Sequence, residues 1–197
     1  VMDGDGEDRP EEIKYLVNQA LEDQEVSVVA KRVKRSEGFL FQILYEVHKL
    51  ITLIFTGKQI NFGNYSCLTK KDVVTLSQQE SLWSSFSGTV KKNLTNLNEV
   101  DSIRGLRYFG PSKMSFFNLA IHSFSIIAVF KYTVFLRSTF IIIALSFLTK
   151  TLGLIAIAFQ VLIVFFNLLI FIVSMRENEK AFVKSNENIL NEDEITR

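Results

Sequence analysis

Apolar residues are concentrated toward the C-terminal end of the chain. Residues 1–113 mix charged and apolar positions, residues 114–175 are nearly all apolar, and residues 176–197 form a charged tail. Between Ser138 and Met175 the only charged residue is Lys150. A membrane-spanning helix needs about 20 apolar residues, so this run is too long for one crossing and long enough for two. We predict a transmembrane helical hairpin over residues 132–175, with Lys150, Thr151 and Gly153 at its turn.

A shorter apolar segment precedes the hairpin. Its polar residues Ser115, Asn118, His122 and Ser125 recur at helical spacing and therefore form one stripe. This pattern predicts an interfacial amphipathic helix over residues 114–131, with His122 as an interfacial polar residue rather than a metal ligand. Basic residues flank both ends of the hairpin, which predicts that both ends and the soluble part face the cytosol.

Residues 1–113 alternate between helical and extended patterns. The apolar spacing predicts helices at 13–21, 38–55, 70–77 and 80–94, and strands at 26–30, 60–69 and 97–103. Such alternation predicts an α/β sheet, although the strands are too few for a complete doubly wound domain. We therefore expect the chain to be a piece of a longer protein whose N-terminal half is missing.

An acidic cluster, DGDGED, occupies residues 3–8. An EF-hand loop counted from Asp3 would need glycine and glutamate where Asp8 and Lys14 stand, so that site is excluded. Asp8 has capping-box spacing to Glu11, and we interpret it chiefly as a helix cap. Asp3 and Asp5 instead lie between apolar residues and a capped helix, which predicts a position at the carboxyl end of a strand, where open α/β sheets bind ligands. Two hard oxygen ligands there indicate Mg²⁺ or Mn²⁺ holding a diphosphate.

Basic residues form two further groups. Arg32 and Arg35 follow the predicted strand at 26–30, whereas Arg104, Arg107 and Lys113 surround a Gly-Pro turn before the interfacial helix. Attraction to anionic headgroups would explain Lys113 alone, but not two separate loops that each follow a strand. Cations facing a metal–diphosphate site fit a reaction in which donor and acceptor both carry phosphate. The net charge of +1 indicates no general preference for nucleic acid.

The order of these motifs resembles a known family. The stretches VMDGDGEDRPEEI, VVAKRVKR, NFGNYSCL and RGLRYFGPSKMS, followed by the interfacial helix and the hairpin, resemble the second half of membrane-anchored family 2 glycosyltransferases. Relatives include dolichol-phosphate mannosyltransferases and bacterial polyprenyl-phosphate glycosyltransferases. The resemblance implies the C-terminal half of a GT-A domain in residues 1–113, and leaves residues 176–197 as a cytoplasmic tail.

The resemblance also assigns residues to roles. Asp3 and Asp5 would hold the divalent metal, and Glu7 stands where relatives usually carry a glutamine that assists it. The residues expected to bind substrate phosphates are Arg32, Arg35, Arg107, Ser112 and Lys113. Asp8, Arg32 and Arg107 are the expected catalytic residues. Arg9 departs from the family pattern because it replaces a proline.

The implied activity is transfer of a sugar from a nucleotide-diphosphate donor to a membrane-associated acceptor, with a polyprenyl phosphate as first choice. The implied partners are the nucleotide sugar, the lipid-linked acceptor and the membrane, with no nucleic acid, and a homo-oligomer is compatible with this assignment. The expected location is a membrane, in first place the bacterial inner membrane, with the catalytic part in the cytoplasm. The chain by itself is expected to be inactive because the donor-binding half is missing.

Three alternatives remain. With a hydroxyl acceptor the reaction requires a general base, for which Asp8 or Glu7 is the nearest candidate. A non-catalytic membrane scaffold would combine the same anchor with a small cytosolic interaction domain. A processive polysaccharide synthase also uses Asp-x-Asp but needs a Gln-x-x-Arg-Trp stretch, and the only tryptophan, Trp83, lies in ESLWSSF.

Overall fold

A computed structural model describes residues 1–34, 39–110, 115–178, 180 and 184 of the chain. The predicted phosphate-binding residues Arg35, Ser112 and Lys113, and most of the C-terminal tail, lie outside these residues. The described part is a mixed helix and sheet structure followed by two long apolar helices.

The sheet has three strands in the order β2–β1–β3. Strand β1 (Val28–Lys34) lies in the centre, antiparallel to β2 (Phe62–Cys67) and parallel to β3 (Asn98–Ile103). Irregularities in the pairing follow Val29 on the β2 side and Arg32 on the β3 side. The start of the chain extends this sheet on the side of β2 that faces away from β1. There Val1 and Ser66 exchange both backbone hydrogen bonds, at 2.8 and 3.0 Å.

Helices cover both faces of the sheet. Side chains alternate along β1, so that Val28 and Ala30 pack against Leu16 on one face, while Val29 packs against Leu76 and other residues on the opposite face. The helices of this part are α1 (Ile13–Glu22), α2 (Phe39–Thr56), α3 (Lys70–Ser77) and α4 (Phe86–Asn93). Hydroxyl caps begin two of them: Thr69 accepts a hydrogen bond from the amide of Asp72, and Ser85 accepts one from Gly88.

The C-terminal helices are α5 (Phe116–Ala128), α6 (Lys131–Leu152) and α7 (Leu154–Ser174). Helices α6 and α7 are joined through Gly153, whose φ of +56° favours glycine, and they form a hairpin. Both are long and apolar enough to cross a membrane. Only 11% and 17% of their most apolar windows are buried, which is not the environment of core helices in a soluble protein.

The hairpin is attached to the sheet domain at its base. A cluster of buried residues there includes Ile127 and Phe130 at the α5–α6 junction and Ile170 near the end of α7. Helix α2 contributes Phe55, whose ring lies 4.5 Å from that of Phe166 between centroids. The first and last turns of the hairpin are joined by an ion pair of 2.7 Å between Lys131 and Glu177.

The structure corrects three local predictions. Asp8 is not a helix cap: a 3-10 turn covers Pro10–Glu12, α1 begins at Ile13, and neither start has a side-chain cap. Arg32 does not follow the first strand but lies within β1, which begins and ends later than predicted. The helix predicted at 80–94 is divided into a 3-10 turn, Glu80–Trp83, and α4.

Candidate functional site

The candidate site lies where β1 and β3 end. Parallel strands place their carboxyl ends at the same edge of a sheet, so Arg32 near the end of β1 and Arg104 directly after β3 approach one another. The acidic segment 3–8 lies at the same end of the sheet, because the chain enters there from the side of β2 that faces away from β1. It is held there by Asn64, whose side-chain amide donates a hydrogen bond of 2.9 Å to Asp3 Oδ1.

Glu7 and two arginines form the centre of the site. Arg107 Nε donates to Glu7 Oε1 at 2.8 Å, and Arg104 forms an ion pair with the other oxygen of the same carboxylate. A second carboxylate, Asp5, lies 3.3 Å from Arg107 through its Oδ2 atom. The hydrogen bond to Glu7 is the main reason that the pKa of Arg107 is raised above its usual value. We name these four residues, Asp5, Glu7, Arg104 and Arg107, the carboxylate–arginine network.

Backbone contacts fix this network in place. The amide of Gly105 donates to Glu7 O at 2.8 Å, and the amide of Tyr108 donates to Asp5 O at 2.9 Å. Gly6 lies between these contacts with a φ of +91°, and a Cβ atom there would lie 2.8 Å from the Tyr108 ring. Glycine is therefore required at position 6 by both the backbone conformation and the close aromatic ring. The two segments form one unit although about a hundred residues separate them.

Asp8 is buried behind the network and only 5% exposed. Its Oδ2 atom accepts a hydrogen bond of 3.0 Å from the amide of Asp3. Burial raises the pKa of Asp8, and this effect outweighs the Asp3 amide and the positive charges of Arg32 and Arg104, which lower it. The structure thus places two acidic residues in opposite environments, because Glu7 faces two cations and Asp8 is mainly desolvated.

A tyrosine and a second glutamate support the site from the sheet. Tyr65 on β2 donates a hydrogen bond of 2.7 Å to the backbone oxygen of Arg9, and burial, followed by the negative charge of Glu12, raises its pKa to about 12. Glu12 accepts a hydrogen bond of 2.6 Å from Ser102 at the end of β3. These contacts hold the start of α1 against the sheet.

Helix α5 connects the site to the apolar hairpin. The pKa of His122 on this helix is lowered, first by desolvation and then by the positive charges of Arg32 and Arg176. The charges of Arg32 and Asp3 are therefore close enough to His122 to influence its pKa. Ser125, one turn further along α5, is buried and accepts a hydrogen bond of 3.4 Å from Arg176 at the end of α7.

The acidic side chains of the site offer a divalent cation few ligands. Among the described residues there is no group of three or more histidine, cysteine, aspartate or glutamate side chains that could hold a metal. Glu7 is engaged by two arginines, and Asp5 shares Arg107 with it. Asp3 and Asp5 remain two partly exposed carboxylates on one short turn. Two carboxylates are sufficient for Mg²⁺, which commonly completes its shell with waters and substrate phosphates.

The structure therefore gathers Asp3, Asp5, Glu7, Asp8, Arg32 and Arg107 at one end of the sheet. Sequence reasoning grouped Arg104 with Arg107 and Lys113 as basic residues near the site but gave it no role of its own, and it did not single out Asn64. Arg104 could have been given one, because it comes directly after a predicted strand and precedes Arg107 by three residues. Asn64 carried no such signal, because its role depends on the antiparallel pairing of β2. Comparison with protein-family models, curated proteins and solved structures returned no match.

Proposed function

We propose that this chain carries part of the active site of a membrane-bound glycosyltransferase, which transfers a sugar from a nucleotide-diphosphate donor to a membrane-associated acceptor. The observation that supports the proposal most strongly is the group of arginines and carboxylates at the ends of β1 and β3. It lies beside a helix that leads into an apolar hairpin. The same residues carry the resemblance in motif order to membrane-anchored family 2 glycosyltransferases, which suggested this activity.

The arginines would bind phosphate groups. Guanidinium groups form paired hydrogen bonds with phosphate oxygens, and they are more effective in a partly buried site than in open water. Arg104 and Arg107 have only 19% and 29% of their side chains exposed. Arg32 lies on the same edge of the sheet, across Gly63 of β2. Three guanidinium groups near a membrane fit a reaction in which both donor and acceptor carry phosphate.

Asp3 and Asp5 are the residues that would hold Mg²⁺ or Mn²⁺. A divalent cation bound there supplies electrostatic stabilisation of the negative charge that develops on a departing diphosphate. Arg107, which contacts both Asp5 and Glu7, would lie beside such a cation and could bind a phosphate oxygen of the same diphosphate.

The acceptor decides whether a protein base is needed. A polyprenyl phosphate supplies its own anionic oxygen, so the chain has only to orient it. A hydroxyl acceptor requires a general base. For that case Asp8 is a better candidate than Glu7, because burial raises the pKa of Asp8, whereas both carboxylate oxygens of Glu7 are engaged by arginines.

The metal assignment is tested by Asp5→Ala, with Asp101→Ala as the matched control. Asp101 is an exposed aspartate on β3 outside the site. In membranes that contain the native gene product, we expect Asp5→Ala to reduce Mn²⁺-dependent sugar transfer by at least about 100-fold, the range for lost charge stabilisation at a reaction centre. It should also weaken Mn²⁺ binding measured by electron paramagnetic resonance. Unchanged transfer in Asp5→Ala would refute the assignment.

A non-catalytic membrane scaffold is the second candidate function. The exposed apolar surface of the hairpin favours a membrane anchor in either case. The scaffold predicts that the native gene product binds neither Mn²⁺ nor a nucleotide-diphosphate sugar. Isothermal titration with both ligands separates the two candidates, because binding of either one at the acidic segment excludes a purely structural role.

A further inference from the structure

Helix α2 exposes a narrow row of aliphatic side chains. Ile43, Val47, Leu50 and Ile54 are 43%, 46%, 57% and 43% exposed. Their spacing of four, three and four residues puts all of them on one line along the helix. We call these four residues the α2 stripe. Isolated exposed aliphatic residues are ordinary, but a continuous row along one helix needs a partner.

The other sides of α2 already have partners. Ile51 and Phe55 pack against the buried cluster at the base of the hairpin. Thr52 and Thr56 are buried, and their hydroxyls donate to backbone oxygens of the same helix at 2.8 and 2.6 Å. On the side that borders the stripe away from this core, Glu46 and Lys49 form an exposed ion pair of 3.0 Å. The helix therefore has a packed side, a charged side and, between them, the stripe.

The stripe is close to the surface that the hairpin exposes. Arg137 on α6 donates a hydrogen bond of 3.2 Å to the backbone oxygen of Ile54, which ties the end of the stripe to the first turns of α6. Those turns also expose Leu136 and Phe140, at 59% and 64%. Lys49, which lies 5.3 Å from the ring of Tyr45, provides an amphipathic cation of the kind found at membrane interfaces.

We propose that the α2 stripe inserts into the surface of the lipid bilayer, so that α2 is a membrane-contacting helix in addition to the hairpin. Lipid is favoured over a protein partner because the stripe lies next to the apolar surface of α6 and because its residues are simple aliphatics beside a charged edge. The proposal rests on the membrane placement of the hairpin and is independent of glycosyl transfer. Insertion would hold the sheet domain, and with it the carboxylate–arginine network, at a fixed height above the bilayer.

The test measures the surroundings of single labelled cysteines. Cys67, the only cysteine, is first replaced by serine, and a bimane label is attached at Leu50→Cys or at the control position Lys49→Cys on the charged side. The full chain is reconstituted in phosphatidylcholine vesicles that contain brominated lipid. We expect lipid quenching to be several-fold stronger at position 50 than at position 49, because adjacent residues of a helix point about 100° apart. Quenching by aqueous iodide should show the opposite order.

A third label, at Phe147→Cys, reports whether the hairpin is in the bilayer, because Phe147 is 81% exposed on α6. Quenching by lipid at position 147 together with equal iodide quenching at positions 49 and 50 would overturn the proposal for α2 and leave the membrane placement of the hairpin intact. Protection of position 50 from both quenchers would also overturn it, because a protein surface would then cover the stripe. Iodide quenching at all three positions would refute the membrane placement on which the proposal rests.

Discussion

At the scale of single residues, Asp8 shows how the site differs from an ordinary acidic turn. Its carboxylate is nearly fully buried, and burial raises its pKa above the value of 3.8 that it has in an unfolded chain. Between these two pKa values the folded protein binds more protons than the unfolded one. The contribution of Asp8 to stability therefore falls as the pH rises through this window.

We expect Asp8→Asn to raise the free energy of unfolding at pH 7, because the amide removes the buried charge and its oxygen can still accept from the Asp3 amide. The gain should shrink as the pH falls from the raised pKa of folded Asp8 toward 3.8, and it should be absent below 3.8, where Asp8 is protonated in both states. Urea denaturation of the detergent-solubilised chain, followed over a series of pH values, measures this difference. A variant that is less stable than the parent at pH 7 would contradict the expectation.

Sequence reasoning located the acidic residues but not their partners. Asp3 and Asp5 attracted attention through their glycine-rich spacing, whereas the capping role of Asp8 was wrong. The reason is that the chain folds Asp8 inward against the sheet and begins α1 only at Ile13. Hydrogen bonds such as those from Asn64 to Asp3 and from Arg107 to Glu7 join positions 61 and 100 residues apart. Pairings of this length depend on the sheet register, which local patterns do not specify.

At the scale of secondary-structure elements, the base of the hairpin depends on one buried ion pair. Glu177 has only 5% of its side chain exposed, and its Oε2 atom accepts a hydrogen bond of 2.7 Å from Lys131. Its other oxygen, Oε1, has no hydrogen-bond partner among the described residues. Loss of the lysine would therefore leave a buried carboxylate without its partner, which costs more than the pair itself contributes.

We expect Lys131→Met to lower the free energy of unfolding by roughly 3 kcal/mol, the range for a buried charge that loses its partner. The double variant Lys131→Met with Glu177→Leu should recover most of that loss, because no charge is left buried. Thermal unfolding in detergent micelles, followed by circular dichroism, provides the comparison. If the double variant were less stable than Lys131→Met, desolvation of Glu177 would not be the cause.

The elements themselves were largely predictable because their signals are local. The helix predicted at 70–77 is present as Lys70–Ser77, and the predicted turn at Gly153 joins α6 and α7. The predicted strand began too early because Val26 and Ser27 are apolar or small and therefore compatible with a strand. In the structure the pairing with β3 instead extends β1 as far as Lys34. Although β1 is the central strand, it accommodates the charged Arg32 because this residue lies near the carboxyl end of the strand, where the site is.

At the scale of the whole molecule, the ion pair between Lys131 and Glu177 places both ends of the hairpin together, with Lys150 at the opposite end of α6. If the two helices cross the bilayer, Lys150 and the sheet domain must lie on opposite sides of it. We expect single cysteines at Lys58 and Lys150, each in the Cys67→Ser background, to react with a membrane-impermeant maleimide in complementary fractions in sealed vesicles. The fraction of molecules labelled at position 58 before permeabilisation should equal the fraction that becomes labelled at position 150 only after permeabilisation. This equality holds for either direction of insertion. Equal labelling of both positions before permeabilisation, in vesicles of one uniform orientation, would show that the hairpin lies along the membrane without crossing it.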